Sequence, residues 1–274
     1  MTFVCIYRNC SMPSDHIPTE EDIDFQLRNE ALEEARDTLG SLESLINEFR
    51  HDTSNSSEVL GSLITGARSL IGQAPLIGGT LVDLVSHQFM DYLWNLDDFS
   101  QVHIQDIQKF IDNFMDILDG KFEGKTEDIG PKLVRELPLK KLGEIDFGDI
   151  TQKNVQILVI CPEKAMSRIL EREMAACGYR TITLREPFKS FEMAISTKPD
   201  LIIASRELGS ISGIDIALAF AAMPKTQRIP FALLSSYGWG HPGLDGLPPR
   251  VALLRKGGEF GADLADALAR FRIT

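Results

Sequence analysis

The chain has 274 residues, of which 43% are hydrophobic and 25% are charged, and its formal net charge is −12. This composition is typical of a folded globular protein and excludes a disordered chain. No apolar run approaches the roughly 20 residues that span a bilayer, and the first 18 residues contain no long apolar run followed by a small-residue cleavage site, so we expect no secretory signal. We therefore expect a cytoplasmic protein with no membrane partner.

The charge differs between the two ends of the chain. Residues 1–119 hold 21 Asp and Glu against 6 Lys and Arg, whereas residues 155–274 hold 12 against 15. Such a contrast predicts two domains. We expect no nucleic-acid ligand, because an acidic surface repels phosphate backbones and the second segment is only weakly basic.

The four cysteines, Cys5, Cys10, Cys161 and Cys177, lack the paired spacing of metal sites. We therefore expect no metal site and no cofactor. Idle thiols are the simplest interpretation, and a disulfide between Cys5 and Cys10 stays open as an alternative.

The first 119 residues predict four amphipathic helices. Apolar residues recur at helical spacing within 21–50, from about 56 to 72, within 81–94 and from about 102 to 118. The segments HDTSNSS, GQAPLIGG and NLDDFSQ separate them with turn formers and helix breakers. Because the loops are short, we expect an antiparallel four-helix bundle over residues 20–119.

The segment 120–153 mixes glycine, proline and balanced charge. We interpret it as a linker with a short ordered piece at KLVREL.

From Val155 onward, strands alternate with helices. The apolar runs VQILVI, RTITL, PDLIIAS, IPFALLSS and VALLRK predict a flavodoxin-like, doubly wound, five-stranded parallel sheet over residues 154–274. Between the fourth and fifth runs, YGWGHPGLDGLPPR contains four glycines and three prolines. We therefore expect the crossover helix there to be missing or reduced.

The second half resembles response-regulator receiver domains in VQILVICPEKAMSRILEREMAACGY, KPDLIIASRELGSISGIDIALAF, IPFALLSS and LLRKG. The resemblance implies a domain that takes a phosphoryl group from phosphohistidine onto an aspartate. The family's acidic pair falls on Cys161 and Pro162, its acceptor aspartate on Ser205, and its hydroxyl and lysine on Ser235 and Lys256. Because Mg²⁺ needs hard carboxylate oxygens and the acceptor must be a carboxylate, we expect no aspartyl phosphate.

The loop that replaces the fourth crossover helix exposes Trp239 and His241. We interpret it as a loop that binds a partner, and an inert loop with a half-buried Trp239 is the alternative.

The first half is similar to histidine phosphotransfer domains in EVLGSLITGARSLIGQAPLIGG. The family's histidine and lysine fall on Arg68 and Ile71, and its glycine on Gly72. A guanidinium has no usable lone pair, so Arg68 cannot accept a phosphoryl group. The small residues around it predict a docking patch, made of Gly61, Thr65, Arg68, Ser69 and Gly72.

The joint loss of these reactive groups predicts a non-enzymatic regulator or scaffold of a bacterial phosphorelay. It would bind a kinase, a phosphotransfer protein or a response regulator without transferring phosphate. One alternative is active phosphotransfer at His51, because FRHDTSN resembles the acceptor segment of sensor-kinase dimerisation helices. That alternative requires a helix that continues through 51–57. The other is a structural module whose bundle pairs as a homodimer.

Overall fold

The computed structural model of the chain describes residues 19–77, 79–94, 96, 98–122, 126–138 and 153–273. Within these residues, five α-helices come first, and a five-stranded parallel sheet with four further α-helices follows. Cys5, Cys10 and residues 139–152 of the predicted linker lie outside the described residues. Within those residues, no helix has the length and apolar character needed to cross a membrane.

The helical half contains α1 (Glu20–His51), α2 (Ser56–Gln73), α3 (Thr80–Trp94) and α4 (Ile104–Leu118), with a 3₁₀ turn at Gln101–His103. α1 begins with a capping box, in which the Thr19 hydroxyl accepts the Asp22 N–H and the Asp22 carboxylate accepts the Thr19 N–H. Contacts run from α1 to α2, from α2 to α3, from α3 to α4 and from α4 back to α1. The four helices therefore enclose one hydrophobic core.

Aromatic side chains fill the centre of that core. The ring of Phe89 lies 5.1 Å from Phe110 and 6.0 Å from Phe114, measured between centroids. The Tyr92 hydroxyl donates a 2.8 Å hydrogen bond to Asp106, and burial, with a smaller effect of that carboxylate, raises the pKa of Tyr92. Each buried ring contributes several kcal/mol, of the order lost in Phe-to-Ala core substitutions, about 3–5 kcal/mol.

The segment predicted as a linker contains a helix, α5 (Thr126–Glu136), which is longer than the short ordered piece expected there. Leu133 and Leu137 lie in the core of the helical half, whereas Val134 lies in a core of the sheet half. The helix forms because it buries apolar residues on two sides, and the mixed composition of the segment does not reveal that pattern. α5 therefore connects the two halves.

The sheet half follows the doubly wound pattern. Its strands are β1 (Gln156–Ile160), β2 (Arg180–Leu184), β3 (Leu201–Ser205), β4 (Phe231–Ser235) and β5 (Ala252–Arg255). They pair in parallel in the order β2-β1-β3-β4-β5, which is the order of flavodoxin-like sheets. The prediction of a five-stranded parallel sheet is confirmed.

Helices cover both faces of this sheet. α6 (Lys164–Ala176) and α9 (Phe260–Phe271) pack on one face, and α7 (Lys189–Thr197) and α8 (Gly213–Ala222) pack on the other. Residues 236–251, all described, hold only the 3₁₀ turn Pro242–Leu244 between β4 and β5. The predicted loss of the fourth crossover helix is confirmed.

An ion pair between Arg255 of β5 and Asp263 of α9 connects the last helix to the last strand. The Arg255 guanidinium donates to both carboxylate oxygens of Asp263 at 2.8 and 2.7 Å, and the Arg255 N–H donates to the same group at 2.8 Å. These hydrogen bonds lower the pKa of Asp263 from its ordinary value. A carboxyl with a lowered folded pKa stabilises the fold above its ordinary pKa and loses that contribution as the pH falls through the folded pKa.

We expect Asp263→Asn to lower the melting temperature by a few degrees at neutral pH. The difference in melting temperature between this variant and the wild type should shrink as the pH falls from about 5 to about 2. Thermal denaturation across that range measures the effect. Asp266→Asn, on the exposed side of the same helix, is the matched control and should melt as the wild type does. A difference that stays constant with pH would contradict the assigned role of the carboxylate.

Candidate functional site

The carboxyl ends of four neighbouring strands bring together the five residues predicted from the receiver resemblance. Cys161 and Pro162 follow β1, Ser205 ends β3, Ser235 ends β4, and Lys256 follows β5. Parallel pairing places Ser205 beside Leu234 and Ser235 beside Arg255, so these ends share one edge of the sheet. This edge is where ligands bind in doubly wound sheets.

Cys161 is a buried thiol at this edge. Its side chain is inaccessible to solvent, and its Sγ lies 3.6 Å from the carbonyl oxygen of Glu163. Burial raises the pKa of Cys161, with a smaller opposing effect of that hydrogen bond. The residue is therefore a protonated core side chain, without the charge that an acidic residue would supply.

The serine and lysine positions are engaged within the protein. The Ser235 hydroxyl accepts the Tyr237 N–H at 2.9 Å. The Lys256 ammonium lies 3.8 Å from the Glu163 carboxylate. The Ser205 side chain is buried at 4% exposure. The hydroxyl and the lysine that the receiver resemblance assigns to phosphoryl binding therefore both contact neighbouring groups of the protein.

This edge does not fit a magnesium ion. Mg²⁺ takes oxygen ligands in octahedral geometry, usually with one or two carboxylates. The positions that would supply them hold a thiol, a proline and a hydroxyl, and no group of three or more His, Cys, Asp or Glu residues that could hold a metal occurs in the described residues. The residues present therefore disagree with metal-assisted phosphoryl transfer at this edge.

The start of α8 approaches Ser205 very closely. A Cβ atom on Gly213 would lie 2.3 Å from the Ser205 carbonyl oxygen and 2.6 Å from Leu233. The Gly213 N–H donates to the Arg206 carbonyl at 2.9 Å. A glycine is therefore needed for the helix to pack against the end of β3.

The predicted docking patch lies on the surface of α2. Gly61, Thr65, Arg68 and Gly72 are exposed, and Ser69 is half-buried, where its hydroxyl accepts a 3.0 Å hydrogen bond from Gln73. A Cβ added at Gly61 or Gly72 would meet no atom within 4 Å. The opposite face of α2 also holds a glycine, Gly66, whose Cβ would lie 2.8 Å from Leu42 of α1. The apolar pattern alone did not reveal that close contact.

Arg68 also faces the sheet half of its own chain. Its guanidinium carbon lies 5.7 Å from the ring centroid of Trp94, and two cations of the sheet half, Lys164 and Arg185, lie near the same ring. These residues line or flank a cavity between the halves. Sequence reasoning missed this cluster, because its members are far apart in the chain and no local motif connects them.

His51 is the last residue of α1. The backbone at Asp52 is extended, and α2 begins only at Ser56. The Ser54 backbone N–H donates a hydrogen bond to the Asp52 carboxylate and lowers its pKa, and the Ser54 side chain lowers it further by a smaller amount. The helix that phosphotransfer at His51 would require through 51–57 is therefore interrupted.

The loop after β4 presents the other predicted partner residues. Trp239 is 65% exposed. The His241 ring stacks on Tyr237 with centroids 3.8 Å apart, and its Nδ1 accepts the Gly243 N–H at 2.9 Å. The guanidinium carbon of Arg206, which follows the neighbouring strand β3, lies 4.7 Å from the ring centroid of Tyr237. The loop is thus built around Tyr237, with Trp239 left on the surface.

No protein-family model matches the chain, and no curated protein matches it. The C-terminal part matches solved receiver domains. A putative response regulator from Chloroflexus aurantiacus is 16% identical with a TM-score of 0.38, covering 43% of this chain and 98% of that one. The chemotaxis response regulator CheY4 of Vibrio cholerae is 15% identical with a TM-score of 0.37, covering 44% and 99%.

Strand order, parallel pairing and helix placement decide the fold of this half. The sheet half has a receiver-like fold. A longer match exists with the anti-anti-sigma factor PhyR from Bartonella quintana, which is 17% identical with a TM-score of 0.34 and covers 83% of this chain and 82% of that one.

Proposed function

We propose that the protein is a non-enzymatic regulator or scaffold of two-component signalling, which binds a kinase, a phosphotransfer protein or a response regulator without phosphoryl transfer. The observation that carries this proposal is the carboxyl edge of the receiver-like half. The receiver resemblance assigns the phosphoryl-binding hydroxyl and lysine to Ser235 and Lys256, whereas Cys161, Pro162 and Ser205 at the same edge supply no carboxylate.

The chemistry of these side chains supports binding without transfer. A proline has no side-chain oxygen, and the Cys161 thiol is buried with a raised pKa. A serine hydroxyl at position 205 is not an anionic nucleophile at neutral pH. Without a carboxylate at these positions, no acyl phosphate can form on them, and Mg²⁺ lacks its usual ligands.

We infer that α1 to α4 form an antiparallel bundle of the histidine phosphotransfer type that has lost its reactive residue. The support is the closed set of helix contacts around one core and the position of Arg68 on the exposed side of α2. The guanidinium stays protonated and donates hydrogen bonds, so it can bind an anionic group of a partner but cannot be phosphorylated.

The receiver-like half offers a second surface suited to a partner. A groove of about 350 Å³ runs between α6 and α9 beside Lys256, with Met166, Ile169 and Phe260 among its lining residues. Ile169 is 51% exposed. An apolar groove beside the strand ends suits the helix of a kinase or phosphotransfer protein, because an amphipathic helix binds by placing its apolar side in such a groove.

A binding panel tests this function. Full-length protein is measured against purified kinases, phosphotransfer proteins and response regulators of the source organism by biolayer interferometry. We expect at least one to bind, and Ile169→Asp to weaken that complex at least tenfold through loss of apolar burial, about 1.4 kcal/mol or more. Leu218→Asp is the matched control, because Leu218 is 46% exposed on α8 of the opposite sheet face. Absence of binding to every class would refute the proposal.

A structural role as a homodimer is a second candidate, favoured by one observation. The first turns of α1 expose three large apolar side chains, Ile23 at 48%, Phe25 at 68% and Leu27 at 44%. Sedimentation of the full chain measures this role. We expect dimers that Phe25→Ser dissociates, and a monomer at every concentration would exclude it.

A further inference from the structure

A cavity of about 390 Å³ lies between the helical half and the receiver-like half. α2 and α3 form one wall, and α6, the end of β2 and the start of α7 form the other. None of its lining residues belongs to the carboxyl-edge site around Ser205. The volume lies in the range of pockets that hold small molecules.

Three cations surround one indole at this cavity. The Arg185 guanidinium carbon lies 4.7 Å from the ring centroid of Trp94, the Lys164 Nζ lies 5.5 Å away, and the Arg68 guanidinium carbon lies 5.7 Å away. Contact with the ring favours each cation separately. Three like charges around one ring nevertheless repel one another, and a bound anion would remove that repulsion.

The acidic side chains of the cavity wall are already engaged within the protein. Glu186 lies 3.7 Å from the Lys189 ammonium, and Glu171 accepts a hydrogen bond from the Thr183 hydroxyl. Asp91 also has a polar partner. By contrast, across the described ranges, Arg68 and Arg185 form no ion pair and no side-chain hydrogen bond. Their N–H groups are therefore available to a ligand.

The Trp94 side chain is partly buried and forms part of the cavity wall. Its indole N–H is buried and has no acceptor among the described residues. The ring lines the cavity together with the apolar side chains of Ile71, Met90 and Leu184. The part of Trp94 that a ligand in the cavity would contact is therefore its ring, and not this inaccessible N–H group.

We propose that this cavity binds a small organic phosphate with a planar ring, of which a nucleoside monophosphate is the simplest example. The phosphate is held by Arg68 and Arg185, because the guanidinium fork matches phosphate oxygens in two parallel hydrogen bonds. The planar ring occupies the apolar part beside Trp94. Because the walls come from both halves, the ligand also stabilises their contact. This inference does not depend on the proposed function.

The test uses the full-length protein with Trp239→Phe, which leaves Trp94 as the single tryptophan of the chain's two. The four common nucleoside 5′-monophosphates, the corresponding neutral nucleosides and inorganic phosphate are titrated separately. Binding is followed by calorimetry and by Trp94 fluorescence. We expect at least one monophosphate to bind at one site, at least tenfold more tightly than its nucleoside or inorganic phosphate, and to raise the melting temperature.

Two variants locate the site. Arg185→Glu should weaken binding at least tenfold, and Arg68→Gln should weaken it as well. Arg228→Glu makes the same change in net charge at an exposed residue before β4, at the opposite edge of the sheet, and should bind as the parent does. The inference is overturned if no monophosphate binds saturably, if inorganic phosphate binds equally well, or if Arg185→Glu and Arg228→Glu behave alike.

Discussion

Replacing Gly130 by alanine is expected to lower the free energy of unfolding by about 3 kcal/mol, the upper end of the usual cost of overpacking. The new Cβ would lie 2.4 Å from the Ser196 carbonyl oxygen and 3.3 Å from its carbon. Backbone atoms at the end of α7 cannot rotate away, so α5 must shift as a whole. That shift pulls Leu133, Val134 and Leu137 out of the two cores that they join.

Chemical denaturation measures this effect, and Gly40→Ala is its matched control. Gly40 lies within α1, is exposed, and has no atom within 4 Å of an added Cβ. Alanine there should raise stability by about 0.5–1 kcal/mol, because glycine is the poorer helix former. If Gly130→Ala behaved like Gly40→Ala, α5 would not pack against α7 as described.

The contact made by α5 has additional polar support. Arg180 of β2 donates to the carbonyl oxygens of Val134 at 3.0 Å and Leu137 at 2.6 Å, at the end of the helix. Burial, with a smaller effect of Arg135, lowers the pKa of Arg180 to about 10, so the group is still charged at neutral pH. A cation at a helix carboxyl end is favourable. Displacement of α5 by Gly130→Ala would remove these hydrogen bonds as well.

Gly213→Ala is expected to destabilise the receiver-like half by a similar amount, about 3 kcal/mol. Its Cβ would meet the Ser205 carbonyl oxygen at 2.3 Å and a methyl group of Leu233 at 2.6 Å. The first turn of α8 would then move away from the end of β3. Hydrogen exchange of the β3 and β4 amides reports this local change directly, since their protection depends on that packing.

Gly258→Ala serves as the control in the same half. Gly258 is exposed, and an added Cβ there would meet nothing within 4 Å. The free energy of unfolding of Gly258→Ala should stay within about 0.5 kcal/mol of that of the wild type. Equal protection of β3 in Gly213→Ala and Gly258→Ala would show that the close approach at Ser205 is not required.

The strands and most helices could be predicted from the sequence because their signals are local. Continuous apolar runs such as VQILVI indicate strands buried on both faces, and the four glycines and three prolines of residues 237–250 exclude a crossover helix. α5 was not predicted at its full length, because its apolar residues Leu133, Val134 and Leu137 serve two cores instead of one stripe. The close contact of Gly66 with Leu42 was also not predicted, since a buried glycine carries no apolar signal.

The candidate sites divide in the same way. The residues at the carboxyl edge could be placed from strand ends alone, because parallel strands bring Cys161, Ser205 and Ser235 to one edge. The cluster of Arg68, Trp94 and Arg185 at the cavity could not be predicted from the sequence, because these residues come together only where the two halves pack against each other. Nothing in the spacing of these residues encodes that contact.

The most direct measurement is an intact-mass assay of phosphorylation on the full chain. The protein is incubated with acetyl phosphate and Mg²⁺, and separately with a phosphorylated kinase or phosphotransfer protein, beside an active receiver domain as positive control. We predict no added phosphoryl group under any of these conditions. A stable, Mg²⁺-dependent phosphoryl adduct on the receiver-like half, or an acid-labile one lost in His51→Ala, would contradict a protein that binds signalling partners without transferring phosphate.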